Sequence, residues 1–269
     1  MGQEIQRLKK RKKVIRKINF LSEQGENTLV IHYSCESFYN KTDGKTSRIT
    51  SIAVRNLESG QTDSFSIHQI AEEQKISFTE ISDKYDILEK EMLDRFFDFV
   101  KSRLYHSWIH WNMRDVNYGF AAIEHRYRVL GGEPTSIPEN KKFDLSRAFG
   151  DLYGVNYIEH PGLESIIQKN NITDKDFLTG QQEAEAFDNK EFVRLHQSTL
   201  RKVNALAKLF EMASYKSLKT NSSWTEQYGF TPSVFIELIK ESWVVKLLII
   251  GGGVLAFITR LFDLVKIFN

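Results

Sequence analysis

Three short runs of β-branched and apolar residues follow one another near the start of the chain, separated by turn residues. They are Thr28–Phe38 (TLVIHYSCESF), Arg48–Asn56 (RITSIAVRN) and Thr62–His68 (TDSFSIH), with Ser59 and Gly60 dividing the last two. Such runs are typical of strands, and short turns between them favour antiparallel pairing. The sequence therefore predicts a three-stranded β-meander, and the rest of the chain has to pack around it.

One charged residue, Glu36, falls at the end of the first predicted strand. A half-buried strand disfavours an unpaired charge, so this carboxylate needs a partner. A divalent metal ion would be one partner. Solvent or an arginine is the other interpretation, and the residues alone leave both open.

Helical periodicity begins after the meander. Apolar residues recur every three or four positions in Tyr85–Leu104, which predicts an amphipathic helix. The run Ser107–Trp111 (SWIHW) predicts a fourth strand, and Asn112–Gly132 predicts a helix that ends at two glycines. The element order β-β-β-α-β-α predicts an α/β fold, a mixed sheet flanked by helices.

Composition narrows the class of protein. The chain has 269 residues, enough for one large domain, and its 37 Lys and Arg nearly balance its 35 Asp and Glu. The single cysteine, Cys35, excludes an internal disulfide and a zinc cluster of cysteines, which suits a reducing compartment. The charged amino terminus lacks the apolar core of a signal peptide, and neither a phosphate-binding loop nor a GxSxG pattern occurs.

The first segment, residues 1–22, is strongly basic: Lys9–Lys17 reads KKRKKVIRK, with apolar residues at helical spacing around it. This pattern predicts an amphipathic helix with a basic face, which can bind the phosphate of nucleic acid or of an anionic lipid headgroup. A solvated helix whose lysines serve solubility is the alternative. The predicted nucleic-acid contacts in this segment are Lys10, Arg11, Lys12 and Lys13.

Three segments carry carboxylates near predicted strand ends: Ser34-Cys35-Glu36, His110–Phe120 (HWNMRDVNYGF) and Lys141–Val155. They resemble motifs of the DEDD family of 3′–5′ exonucleases, which have a ribonuclease H-like fold. That family begins with Asp-x-Glu on its first strand, where this chain has Ser34-Cys35-Glu36. Its second Asp heads the helix after strand four, and HWNMRDVNYGF places Asp115 there. The segment Lys141–Val155 (KKFDLSRAFGDLYGV) resembles the strand and helix that follow in the family, with Asp144 opening the helix.

The last motif of the family falls in Glu191–Phe210 (EFVRLHQSTLRKVNALAKLF), which contains no Asp. When the register is set on KVNALAKLF, Ser198 takes the aromatic position and Lys202 the aspartate position. The resemblance implies a ribonuclease H-like domain over residues 23–219 and a Mg²⁺ or Mn²⁺ cofactor. It also implies catalytic carboxylates at Glu36, Asp115 and Asp144, and metal ligands at Glu36 and Asp115. An acidic patch precedes the last long helix and comprises Glu183, Glu185, Asp188 and Glu191. Asp188 is a candidate substitute ligand for the metal, and a solvated face is the other interpretation of the patch.

These departures from the family bear on the chemistry. Two-metal phosphodiester cleavage needs several carboxylates, whereas a pair of carboxylates can hold one Mg²⁺ at most. Lys202 would supply a positive charge where the second cation would sit, and could bind a phosphate without cutting it. We therefore also predict that Lys202, together with Arg114, contacts nucleic acid.

The amino-acid composition of the chain changes after residue 219. Residues 220–232 are linker-like, and residues 233–269 are dominated by apolar side chains. If Lys246 and Arg260 reach toward opposite interfaces, Trp243–Phe262 is long enough to span a bilayer. The uncharged stretch between those two residues is shorter, and its length alone indicates a buried or oligomerisation helix. We expect membrane insertion, with Gly251–Gly253 permitting contact between copies of the tail.

Together these features predict a cytoplasmic ribonuclease H-like domain attached to the inner membrane. The leading hypothesis is that the domain recognises nucleic acid or a nucleotide signal and the tail acts at the membrane, a layout that resembles bacterial antiphage defence effectors. The second hypothesis is a membrane-anchored, Mg²⁺- or Mn²⁺-dependent 3′–5′ exonuclease. The third is a structural interaction protein with a vestigial pocket.

Overall fold

The structure is a computed structural model that describes residues 3–36 and 46–228. The apolar segment 233–269, with the predicted membrane span Trp243–Phe262, lies outside the described residues. Among the residues that are described, no helix combines the length and the apolar character that crossing a bilayer requires.

Within residues 3–36 and 46–228, five strands form one mixed sheet. They are β1 (Thr28–Cys35), β2 (Ile49–Asn56), β3 (Thr62–Ser66), β4 (Ser107–His110) and β5 (Lys142–Asp144). The order across the sheet is β3-β2-β1-β4-β5. The first three strands pair antiparallel, β4 runs parallel to β1, and β5 runs parallel to β4. The predicted meander and the predicted mixed sheet are both confirmed.

Helices cover both faces of this sheet. In chain order they are α1 (Gln3–Glu23), α2 (Ile67–Glu73), α3 (Tyr85–Lys101), α4 (Phe120–Val129), α5 (Leu145–Tyr153), α6 (Gly162–Lys169), α7 (Gly180–Asp188), α8 (Phe192–Ser214) and α9 (Trp224–Tyr228). Alternate residues of β1 point to opposite faces. Ile31 and Tyr33 pack in the core with α2, α3 and α4, whereas Val30 packs with α1, α5, α6 and α8.

The basic helix α1 is part of the second core. Ile18 and Leu21 are buried in the same cluster as side chains of α5 and α8. Lys10, Lys12 and Lys13 are exposed on the other side of the helix. The amphipathic helix that the sequence predicts is therefore present, and its apolar side is covered by the domain.

The helix predicted from Asn112 begins only at Phe120, so Asp115 lies in a loop and not at the head of a helix. Its Oδ1 accepts a hydrogen bond of 2.8 Å from the backbone N of Asn117, a local turn that competes with helix formation. Gly119, at φ 155°, has its α-carbon so close to Met113 that a Cβ would lie 2.5 Å from the Met113 carbonyl oxygen. The loop therefore requires glycine at that position.

Candidate functional site

A buried group of polar side chains lies between the sheet and α8, and we call it the polar seam. Its members are His32 and Ser34 of β1, Ser51 of β2, Glu183 of α7, and Ser198, Thr199 and Lys202 of α8. The two-residue period of a strand puts His32 and Ser34 on one face of β1. Helical spacing puts Ser198 and Lys202, four residues apart, on one face of α8.

Hydroxyl groups connect the two strands to α8 within the seam. Thr199 Oγ1 lies 2.8 Å from Ser34 Oγ and 2.6 Å from Ser51 Oγ. All three residues are at most 1% exposed. Buried polar groups of this kind need partners, and these hydrogen bonds supply them.

One carboxylate oxygen stands at the centre of the seam. Glu183 Oε1 accepts hydrogen bonds from Ser34 Oγ at 2.8 Å and from Ser198 Oγ at 3.0 Å. Lys202 Nζ lies 2.8 Å from the same oxygen, and the two charged side chains are only 7% and 14% exposed. Several donors on one oxygen offset part of the cost of burying the pair. The lysine charge also reaches His32, whose pKa is held well below its usual range, first by burial and then by Lys202.

The seam occupies the positions that the exonuclease resemblance assigns to metal-binding aspartates. Ser34 stands at the first such position and Lys202 at the last, and both contact Glu183. An ammonium group cannot coordinate a cation and repels one, and neutral hydroxyls are weak ligands for Mg²⁺. These residues do not fit a two-metal site. Over residues 3–36 and 46–228, no three His, Cys, Asp or Glu side chains are grouped so that they could hold a metal ion.

The other predicted metal ligands lie outside the seam. Glu36, half-buried just beyond β1, accepts a hydrogen bond at Oε2 from the backbone N of Arg48, at 3.3 Å. Asp115 is exposed in its loop, and its charge adds to burial in raising the pKa of Tyr33. Asp188 is exposed at the end of α7. A metal ion held between Glu36 and Asp115 stays a prediction.

Asp144 lines a different feature, a groove of about 340 Å³ at the carboxyl end of β4 and β5. Its Oδ1 caps α5 by accepting from Arg147 N at 3.3 Å, and also accepts from Asn112 N at 3.2 Å. The same carboxylate pairs with Arg114. In this structure, therefore, Asp144 and Arg114 hold the loop and the helix start together.

The groove carries no net charge. Its lining includes three basic and three acidic side chains, namely Arg114, Lys142, Arg147, Glu139, Asp144 and Asp151. Lys142 pairs with Glu139. At its base, burial lowers the pKa of His110 to about 4. Charge alone gives this groove no preference for a polyanion.

Two of the predicted nucleic-acid contacts point into the protein. Lys202 is buried against Glu183, with its Nζ also 5.0 Å from the centre of the Phe177 ring. Arg11 Nε donates to the carbonyl oxygen of Leu152 at 3.2 Å. Lys10, Lys12, Lys13 and Arg114 keep exposed side chains.

In the sequence Glu183 falls in an acidic patch for which a solvated face is one interpretation, whereas its side chain in the structure is only 14% exposed. A local signal for this inward position was present. Thr179 and Gln182 form a capping box that fixes the start of α7. From that start, Glu183 and Ala186 fall three residues apart on one face, and Ala186 is 1% exposed. The capping pattern could therefore have placed Glu183 on the inward face of its helix.

Two buried histidines next to the seam make stability depend on pH. The rings of His68 and His196 lie 5.0 Å apart, and burial, followed by the charge of His68, lowers the pKa of His196 to about 4. The unfolded chain binds a proton at a pKa of about 6.5, so the stability that neutral His196 contributes is lost as pH falls from about 6.5 to about 4.

We expect His196→Leu to reduce the acid sensitivity of the protein. Between about pH 7.5 and pH 5, His196 should account for roughly 2 kcal/mol of the fall in the free energy of unfolding of the wild type. In His196→Leu the fall over the same pH range should be smaller by that amount. Urea unfolding curves at both pH values measure it. His125→Leu, on the exposed side of α4, is the control and should leave the fall unchanged. An unchanged fall in His196→Leu would contradict the assignment.

Comparison of the chain with models of protein families, with curated proteins and with solved structures found no match. The fold and the polar seam define the class of protein. The part of the chain that the structure describes is a mixed α/β domain with a five-stranded mixed sheet flanked by helices, and a buried Glu183–Lys202 ion pair lies at the carboxyl end of β1.

Proposed function

We propose that this chain is a ribonuclease H-like recognition module that binds nucleic acid or a nucleotide signal without hydrolysing it. Its apolar carboxy-terminal segment acts at a membrane, as in the bacterial defence effectors that the layout resembles. The antiparallel meander, the parallel strands β4 and β5 and the helices on both faces support the ribonuclease H-like interpretation. So does the meeting of Ser34 and Lys202 in one seam, since the resemblance assigns both positions to the same pocket.

The observation that carries the absence of hydrolysis is the Glu183–Lys202 ion pair. Metal-assisted cleavage of a phosphodiester depends on cations that activate water and stabilise the developing negative charge. In the seam, the only carboxylate is already neutralised by an ammonium group 2.8 Å away and is hydrogen-bonded to two serines. A ribonuclease H-like fold that has Lys202 in place of a metal-binding aspartate is suited to binding nucleic acid or a nucleotide without hydrolysing it.

The direct test is incubation of the full chain with single-stranded DNA and RNA in Mg²⁺ or Mn²⁺. We expect binding that weakens steeply with salt, and no shortening of either polymer. Degradation that Asp115→Asn abolishes would support the alternative, an exonuclease using Glu36, Asp115 and Asp144. An absence of both binding and cleavage would support the third hypothesis, an interaction protein.

We expect the double variant Ser34→Asp, Lys202→Asp to gain affinity for Mn²⁺. The two new carboxylates would join Glu183 in place of the ammonium group, giving the oxygen ligands that such a cation prefers. Isothermal titration of Mn²⁺ measures the gain, which should be at least about tenfold over the wild type.

The matched control for this experiment is Ser34→Asn, Lys202→Asn, which has similar size and polarity but no added carboxylates. It should bind Mn²⁺ no better than the wild type does. Circular dichroism of both double variants reports whether they fold. A folded Asp double variant with unchanged Mn²⁺ affinity would argue against descent of the seam from a metal site.

A further inference from the structure

The outer face of α1 presents a line of cations that ends in an exposed aromatic ring. Lys9, Lys13, Arg16 and Phe20 are spaced four, three and four residues apart, so they lie along one side of the helix. All four are exposed, and Phe20 is 50% exposed. Lys17 Nζ lies 5.1 Å from the centre of the Phe20 ring. The face therefore combines positive charge with an uncovered apolar side chain.

The short helix α9 packs on α5 and is hydrogen-bonded to the amino-terminal half of α1. Arg7 Nη2 donates to the carbonyl oxygen of Glu226 at 2.5 Å. Arg11 of α1 and Gln227 of α9 both line a small cavity of about 90 Å³, whose other walls come from α5 and the end of α8. Trp224, the first residue of α9, is 62% exposed. The last described residues of the chain are thus beside the basic helix.

The sequence after α9 leads to the apolar segment. Fourteen residues, 229–242, separate Tyr228 from Trp243. A chain of that length reaches at most about 50 Å. A linker of that length limits the separation between the end of α9, which is hydrogen-bonded to α1, and the start of Trp243–Phe262 to about 50 Å.

We infer that the outer face of α1 binds an anionic phospholipid surface, the same surface on which the apolar segment acts. The inference rests on the proposed membrane function of that segment. Headgroup phosphates bind the lysine and arginine side chains, while the boundary with the acyl chains accommodates exposed aromatic rings such as Phe20 and Trp224. Nucleic acid would also bind the cations, but the position of α9 beside α1 favours lipid.

The test uses the full chain on two kinds of vesicle, one of phosphatidylcholine alone and one of equal parts phosphatidylcholine and phosphatidylglycerol. Sedimentation with the vesicles reports membrane binding of the chain as a whole. Acetylation of individual lysines, read by mass spectrometry, reports contact at α1. We expect Lys9, Lys12 and Lys13 to be protected on the anionic vesicles only, with protection lost in roughly 1 M salt, where the Debye length is about 3 Å.

Exposed lysines on other elements serve as internal controls. Lys169 of α6 and Lys190, just after α7, should react equally in both vesicle preparations. The preference for anionic vesicles is the ratio of the binding constants for the two vesicle preparations. A triple variant, Lys9→Gln, Lys13→Gln, Arg16→Gln, should lower that ratio about 100-fold. The matched variant Lys169→Gln, Lys175→Gln, Lys190→Gln, with the same change in net charge, should keep that preference.

The possible failures are distinguishable. Sedimentation with both vesicles but no protection of α1 would overturn the inference and leave the membrane function of the tail standing. Absence of sedimentation with either vesicle would overturn both. Protection of Lys9, Lys12 and Lys13 by single-stranded RNA, with none on anionic vesicles, would assign the face to nucleic acid instead.

Discussion

Replacing Arg126 by methionine is expected to lower the free energy of unfolding by about 4 kcal/mol, because the change leaves a buried carboxylate without its partner. Arg126 Nε donates to the two carboxylate oxygens of Glu89 at 3.1 and 3.0 Å. Glu89 is fully buried and also accepts a hydrogen bond from the backbone N of Ile49 at 2.7 Å. The pair therefore joins α3, α4 and the first residue of β2.

Chemical denaturation at neutral pH measures this loss. Arg128→Met is the matched control, since Arg128 lies on the same helix and pairs at 3.3 Å with Glu124 while its side chain stays 54% exposed. A surface pair of that kind contributes at most about 1 kcal/mol. Equal losses of stability in Arg126→Met and Arg128→Met would mean that the buried pair contributes no more to the free energy of unfolding than a surface pair does.

The pH dependence of Arg126→Met provides a second check. Burial already raises the pKa of Glu89, and the hydrogen bonds from Arg126 oppose that rise. Without Arg126 the pKa of Glu89 should rise further, so the folded variant binds a proton that the unfolded chain releases above a pKa of about 4.3. The deficit of the variant should therefore be larger at pH 7 than near pH 5. The double variant Glu89→Gln, Arg126→Met removes the charge and keeps an acceptor for the backbone N of Ile49, so it should recover most of the lost stability.

The regular elements were predictable from sequence where local signals determined them. Period-two runs and polar turns specify β1, β2 and β3 without reference to the rest of the chain. The region after β4 was not predictable by periodicity, because the Asp115 turn and the close approach of Gly119 to Met113 override the helical pattern until Phe120. Because of this loop, Asp115 lies in an exposed turn and not at the predicted head of a helix.

The candidate site was predictable only in part, because its contacts join distant parts of the chain. The resemblance placed Ser34 and Lys202 in one pocket, and the structure brings both to Glu183. The contact between Ser34 and Glu183 spans 149 residues, and no local spacing predicts it. The sequence pattern likewise cannot tell that Arg11 turns toward the Leu152 carbonyl while Lys12 and Lys13 stay exposed.

Replacing Lys202 by methionine is expected to lower the free energy of unfolding by about 3 kcal/mol, since Glu183 would remain in the seam without an opposite charge. Methionine keeps most of the side-chain volume beside Phe177, so the loss reports the charge more than the packing. Thermal or urea unfolding measures it. Lys208→Met, on the exposed side of the same helix, is the control and should change stability by less than about 0.5 kcal/mol.

A second substitution separates the ion pair from the fold that surrounds it. Glu183→Gln added to Lys202→Met removes the remaining charge while keeping an acceptor for Ser34 and Ser198, and it should restore most of the lost stability. That result would mean that Lys202 is retained mainly to neutralise Glu183. A double variant as unstable as Lys202→Met alone would contradict this, and it would require that the lysine acts through contacts other than the carboxylate.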